Sequence, residues 1–161
     1  NAGIGQAPED GSDKFYEAMG KRNEELAAGQ EPTTFVDHLI HMEDAGWQSV
    51  MDVNLNGAFY VCREAIRIMA EDGKGGAIVN ISSTSAQSGE GSPHYVTSKT
   101  ALIGLTRQLA REVSARGIRI NAVAPGAMER STAIRFAPPP KSFWGAISPV
   151  DAVTNAGSSV D

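Results

Sequence analysis

The residues best suited to chemistry in this chain are Tyr95 and Lys99, set in the run Tyr95-Val96-Thr97-Ser98-Lys99. Side chains at i and i+4 share one face of a helix, so a phenol and an ammonium at this spacing reach one site. An ordinary phenol, with a pKa of about 10, is a poor proton carrier near neutrality. A fixed lysine charge beside it favours the phenolate and so suits the tyrosine to act as an acid or base. Such a pair also arises by chance on many helices, so its weight rests on the elements around it.

Those elements are readable on both sides. Ser92 suits an N-cap and Pro93 suits a first helical residue, which puts Tyr95 in the first turn. The helix carries Leu102, Leu105, Leu109 and Val113 on one face and is expected to end near Gly117. Ala77-Ile78-Val79-Asn80-Ile81 before it and Ile118-Arg119-Ile120-Asn121-Ala122-Val123-Ala124 after it read as buried strands, the second stopped by Pro125 and Gly126. Strand, helix and strand predict a right-handed parallel crossover. Ser82-Ser83-Thr84-Ser85 then falls at the carboxyl end of the first strand, where open parallel sheets place ligands, although clustered hydroxyls are also common turn formers.

Upstream, Trp47, Val50, Asn54, Ala58, Val61, Ala65 and Ile68 recur at spacings of three and four, which predicts one long amphipathic helix from Asp44 to the glycines at 73, 75 and 76. Asn54 is a polar residue in that apolar stripe, and a buried amide there must find hydrogen-bond partners. Between 10 and 43 the residues are mostly polar, with one helix expected over 14–28 and a shorter one over 35–42. This stretch reads as a surface insertion.

Composition narrows the classes. The chain has 161 residues, 41% hydrophobic and 20% charged, with a net charge of -5. That is ordinary globular composition and argues against a nucleic-acid surface. No apolar run reaches the roughly 20 residues of a transmembrane helix and no signal peptide opens the sequence, so a cytoplasmic chain without a membrane partner is expected. Cys62 is the only cysteine and reads as a small core residue. His38 and His41, with Asp37, Glu43 and Asp44 nearby, read as a solvated polar face, and no metal site is expected. Asn80-Ile81-Ser82 matches the glycosylation triplet by accident, since it lies in a strand expected to be buried.

Taken together, the motifs resemble the short-chain dehydrogenase/reductase family. The resemblance rests on Asn1-Ala2-Gly3, on Val53-Asn54-Leu55 with Gly57, and on Ile78-Val79-Asn80-Ile81-Ser82-Ser83. It continues through the Tyr95 and Lys99 motif to Arg119-Ile120-Asn121 and Pro125-Gly126, all in the family's order. It implies an α/β fold, a Rossmann-like doubly wound parallel sheet of which this chain is the C-terminal portion of a single domain. The partial domain would cover 1–134, with the insertion at 10–43, and 135–161 would be a poorly ordered tail.

The resemblance also implies roles. Tyr95 is similar to the family's general acid/base. Lys99 would lower its pKa and bond the nicotinamide ribose. Ser83, in preference to Ser82, would orient the substrate oxygen, and Asn54 would hold a water linking Lys99 to solvent. Asn1, Ala2 and Gly3 would border an NAD or NADP cofactor, with Pro125 and Gly126 beside its nicotinamide. The implied reaction interconverts a small-molecule alcohol and ketone, as in a 3-oxoacyl-acyl carrier protein reductase or a hydroxysteroid-type dehydrogenase, in a homodimer or homotetramer. The family's glycine-rich phosphate loop lies before the Asn-Ala-Gly motif, so this chain is expected to be part of a longer protein and inactive alone. The competing expectation is a truncated, non-catalytic relative that acts as an oligomer partner.

Overall fold

The computed structural model describes residues 3–126. The expectations for Asn1, Ala2 and the tail at 135–161 lie outside them. The order is α1 (Ser12–Ala27), α2 (Asp44–Met51), a π-helical turn (Asp52–Asn56), α3 (Gly57–Asp72), β1 (Gly76–Ile81), α4 (Ser85–Ser88), α5 (Pro93–Val113) and β2 (Ile118–Val123). β1 and β2 pair in parallel, with Gly76 opposite Ile118 and Ile81 opposite Val123. This register brings both carboxyl ends level, because the long α5 carries the chain back to the starting edge.

The core lies where the two strands meet the helices. Val113, Ile118 and Ile120 are buried, and Ile66, Met69, Ile78, Leu109 and Ala110 pack against them. Full burial of side chains of this size contributes roughly 1.5–3 kcal/mol each. Gly76 at the start of β1 leaves room for the Met69 side chain, whose sulfur a Cβ there would displace. Below this layer Asn80 donates to Thr106 Oγ1 at 2.9 Å and accepts from the Cys62 thiol at 3.4 Å. Asn80 is only 6% exposed, and Cys62 fills a core position. A concave space of about 280 Å³ between α3 and β1 is lined by Val53, Gly57, Val61, Ile78, Asn80 and Leu102, and Tyr95 and Ser83 are not part of its wall.

Three local features differ from the sequence expectations. The helix from Asp44 is interrupted by the π turn at Asp52–Asn56, and past it the inward face is offset from the expected stripe: Cys62, Ile66 and Met69 face the core, while Val61 and Ile68 are exposed. The helix expected over 35–42 is reduced to a single 3₁₀ turn, Leu39–His41. Phe35, Leu39 and Ile40 are exposed, so no apolar face is buried to hold a longer helix. Ser92 has N-cap backbone angles but its side chain caps nothing, because its hydroxyl bonds elsewhere.

The 10–43 stretch is anchored at its base. Most of α1 is solvated, but Asp10 and Ser12 are buried. Glu43 N–H donates to the Glu9 carbonyl at 2.9 Å, and α2 lies so close that a Cβ on Gly46 would overlap Glu9 and Asp10 backbone atoms. Beyond α1, Glu25 accepts from both Thr33 and Thr34, and Arg22 donates to the Thr34 carbonyl, which folds the returning chain onto the helix.

Candidate active site

The carboxyl ends of β1 and β2 gather most of the expected site residues. Pro93 stands in the first turn of α5, so Tyr95 and Lys99 lie one turn apart at its start. Lys99 is 6% exposed, and its Nζ donates to the carbonyl of Ile81, the last residue of β1, at 2.9 Å. The same nitrogen lies 5.7 Å from the centre of the half-buried Tyr95 ring. Burial pushes the Lys99 ammonium below the usual lysine range, and no carboxylate is paired with it among the described residues. A desolvated cation without an ion-pair partner is costly for stability and is characteristic of a functional group.

The two serines after β1 have different surroundings. Ser82 is 3% exposed and donates its hydroxyl to the Lys99 carbonyl at 2.8 Å, fixing α5 to the strand end. Ser83 Oγ accepts the Ser85 N–H at 3.1 Å, which leaves its hydroxyl proton available to another acceptor. The strand ends are tied by Ser82 N–H to the Val123 carbonyl at 2.7 Å and Thr84 N–H to the Pro125 carbonyl at 3.1 Å. Gly126 therefore sits beside Thr84, where a Cβ would meet the threonine side chain in ordinary contact.

Asn54 connects a third element. Its Oδ1 accepts the Ile4 N–H at 2.8 Å, while its Nδ2 donates to the Ile4 carbonyl at 2.9 Å and to Ser98 Oγ at 3.1 Å. Ser98 passes its own proton to the Tyr95 carbonyl at 2.8 Å. Both amide donors are spent, so only Oδ1 remains to join a proton relay. The bonds to Ile4 draw the neighbouring Gly3 against the site, where a Cβ would come 3.2 Å from Lys99 Nζ. Glycine at this place lets the backbone pass the ammonium.

Sequence reasoning missed a buried pair directly beside Tyr95. His94 is fully buried, with Nε2 3.1 Å from Asp10 Oδ2 and Nδ1 3.0 Å from Ser92 Oγ. Asp10 also accepts the N–H groups of Ala7 and Ser12, each at 2.9 Å. Burial, the largest single influence, raises the Asp10 pKa, but the bonds from Ala7, Ser12 and His94 together outweigh it and bring it down to about 2. His38 donates Nε2–H to the Asp10 carbonyl at 2.9 Å and stacks on Phe15, so it belongs to this cluster rather than to a solvated face. The available signal was Asp10-Gly11-Ser12, an Asx-type turn before a helix, but nothing local pairs it with a histidine 84 positions away. Among the described residues no three His, Cys, Asp or Glu side chains are placed to hold a metal ion.

Chemically, the site offers a phenol, a desolvated ammonium and a hydroxyl at one sheet edge. The fit to a nicotinamide cofactor is supported by Lys99, which uses one Nζ proton on Ile81 and has others for a ribose hydroxyl, and by the glycine passage at Gly3.

Comparison with known proteins gives a consistent family. A family model described as enoyl-(acyl carrier protein) reductase matches residues 26–156. The 3-oxoacyl-[acyl-carrier-protein] reductase FabG of Chlamydia pneumoniae is 40% identical over 92 residues, 56% of this chain and 37% of that protein. Human (3R)-3-hydroxyacyl-CoA dehydrogenase is 42% identical over 91 residues, 56% of this chain and 35% of that protein. The structure of an NAD+-bound xylitol dehydrogenase superposes with a TM-score of 0.54 at 32% identity, over 58% of this chain and 36% of that one. The chain thus spans little more than a third of the length of these relatives. No helix among the described residues is long and apolar enough to cross a membrane. With a Rossmann-like α/β fold and the family match over most of its length, this chain belongs to the short-chain dehydrogenase/reductase family.

Proposed function

We propose that this chain carries the proton-transfer side of an NAD- or NADP-dependent oxidoreductase that interconverts an alcohol and a ketone. The observation that carries the reading is Lys99: a buried ammonium, unpaired with any carboxylate among the described residues, fixed to the end of β1 beside the Tyr95 ring. A nicotinamide, when bound, supplies or accepts the hydride. Tyr95 exchanges a proton between its hydroxyl and the substrate oxygen. Lys99 favours the phenolate by its charge and offers a remaining N–H to the cofactor ribose. Ser83 donates to the substrate oxygen, while Ser82 keeps α5 seated on β1. Asn54 holds Gly3 and Ile4, with Pro125 and Gly126 closing the nicotinamide side.

The names of the relatives point to 3-oxoacyl or 3-hydroxyacyl thioesters as the substrate class. The test joins this chain to a glycine-rich nucleotide-binding half of the family and follows NADH and NADPH oxidation with a 3-oxoacyl thioester. The matching 3-hydroxyacyl product is expected. A well-folded chimera that binds either nucleotide yet reduces no ketone and oxidises no alcohol would contradict the reading.

A further inference from the structure

We propose that His94, Asp10 and Ser92 form a protonation-dependent latch that holds the Gly3-Ile4-Gly5 segment in the site, making His94 and Asp10 positioning residues. The inference rests on the reading above only for what the segment borders. It begins from a conflict over one proton. The Ser92 hydroxyl lies 3.2 Å from the Gly5 carbonyl and 3.0 Å from His94 Nδ1. The carbonyl only accepts, and the hydroxyl has a single proton to give.

Which partner receives that proton depends on His94. Asp10 is buried and accepts two backbone N–H groups, which favour its carboxylate form, so His94 Nε2 must carry a proton toward Oδ2. A neutral His94 then has a bare Nδ1, and Ser92 donates inward to it, releasing Gly5. A charged His94 donates Nδ1–H to Ser92 Oγ instead, and the Ser92 proton goes to the Gly5 carbonyl. Gly5 adjoins Ile4, which Asn54 grips through both backbone polar groups, and Gly3 abuts Lys99 Nζ. Proton gain at His94 therefore tightens the segment against Asn54 and Lys99, and proton loss loosens it.

The charges around His94 are few. Asp10 meets Nε2 and the His38 ring lies 6.1 Å away at its edge. On α5 the next charged group is Lys99, and α2 with its π turn carries Asp44 and Asp52, both exposed. The base of the 10–43 stretch is thereby joined to the residue adjoining Tyr95, which a mere surface insertion would not require.

The test is nuclear magnetic resonance on the 161-residue chain, following the His94 ring nitrogens and the Gly5 carbonyl carbon against pH. Both are expected to follow one midpoint, with Ile4 amide protection, after the base-catalysed rise in intrinsic exchange is divided out, at least about tenfold lower on the alkaline side. In Ser92→Ala the ring should still titrate while Gly5 no longer follows, and Ser92→Thr should restore the coupling. A Gly5 carbonyl that stays flat through the His94 titration overturns the latch. So does one that follows equally in Ser92→Ala, or a ring whose nitrogen signals do not change with pH. None of these readouts uses turnover, so the latch and the oxidoreductase reading stand or fall separately.

Discussion

Lys99 Nζ is fixed to the carbonyl of Ile81 at 2.9 Å, and only from that anchor does it reach the Tyr95 ring, 5.7 Å to its centre. The strand end, rather than the phenol, sets where the charge sits. This bond has a consequence for stability. Burial lowers the folded pKa of Lys99 below its unfolded value, so the charged form is disfavoured in the folded state. The cost is full below the folded pKa and is relieved as pH rises from there toward the ordinary lysine value of 10.5. Urea unfolding of wild type and Lys99→Met should therefore show the difference shifting in favour of wild type as pH rises. A difference independent of pH would mean that the ammonium is not desolvated.

Asp10 gives the opposite sign. Its folded pKa of about 2 lies below the ordinary aspartate value of 3.8, so its contribution is present above pH 3.8 and is lost as pH falls through about 2. The full contribution is on the order of 2 kcal/mol. Asp10→Asn should lower stability at neutral pH by up to that amount and flatten the acid limb of the unfolding profile. An unchanged acid limb would place Asp10 outside the buried network.

Gly46 reports whether the 10–43 stretch is docked. On an exposed helix face, Gly→Ala stabilises by about 1 kcal/mol. Here a Cβ would overlap Glu9 and Asp10 backbone, so Gly46→Ala should destabilise by roughly 1–3 kcal/mol. Thermal melts decide it, and a stabilised variant would mean that the stretch does not pack on α2.

A further prediction concerns the exposed apolar side chains of α3. Phe59, Tyr60, Val61 and Ile68 are exposed, and Arg63 lies over the Phe59 and Tyr60 rings. A second copy covering this surface, as a dimer or tetramer, is the outcome we predict. Light scattering should find an oligomer at micromolar concentration, shifted toward monomer by Val61→Glu. A wild-type monomer would count against it.

Much of the scaffold is legible in the sequence because its signals are local. Pro93 marks the start of α5, and Gly73 and Gly117, with φ of 68° and 70°, close the stretches before β1 and β2. Asn54 stands out as an amide in an apolar stripe, but the π turn beneath it is hidden, because apolar residues stand at both Val61 and Cys62 and at both Ile68 and Met69, so the sequence does not show which of each pair turns inward. Ser82 and Ser83 differ only in which partner each meets, which needs the strand end in three dimensions. The Asp10 and His94 pair is the least legible, since its members come from a polar loop and a helix start far apart in the chain. Their burial depends on α2 approaching Glu9, which only the glycine at 46 allows.

The most direct measurement is turnover of Tyr95→Phe in a chimera that adds a glycine-rich nucleotide-binding half, with nucleotide affinity measured on the same sample. The phenyl ring fills the same space and cannot transfer a proton. Turnover is expected to fall by at least about 100-fold while nucleotide affinity stays within about threefold. Retention of more than about a tenth of the wild-type rate would contradict Tyr95 as the general acid/base.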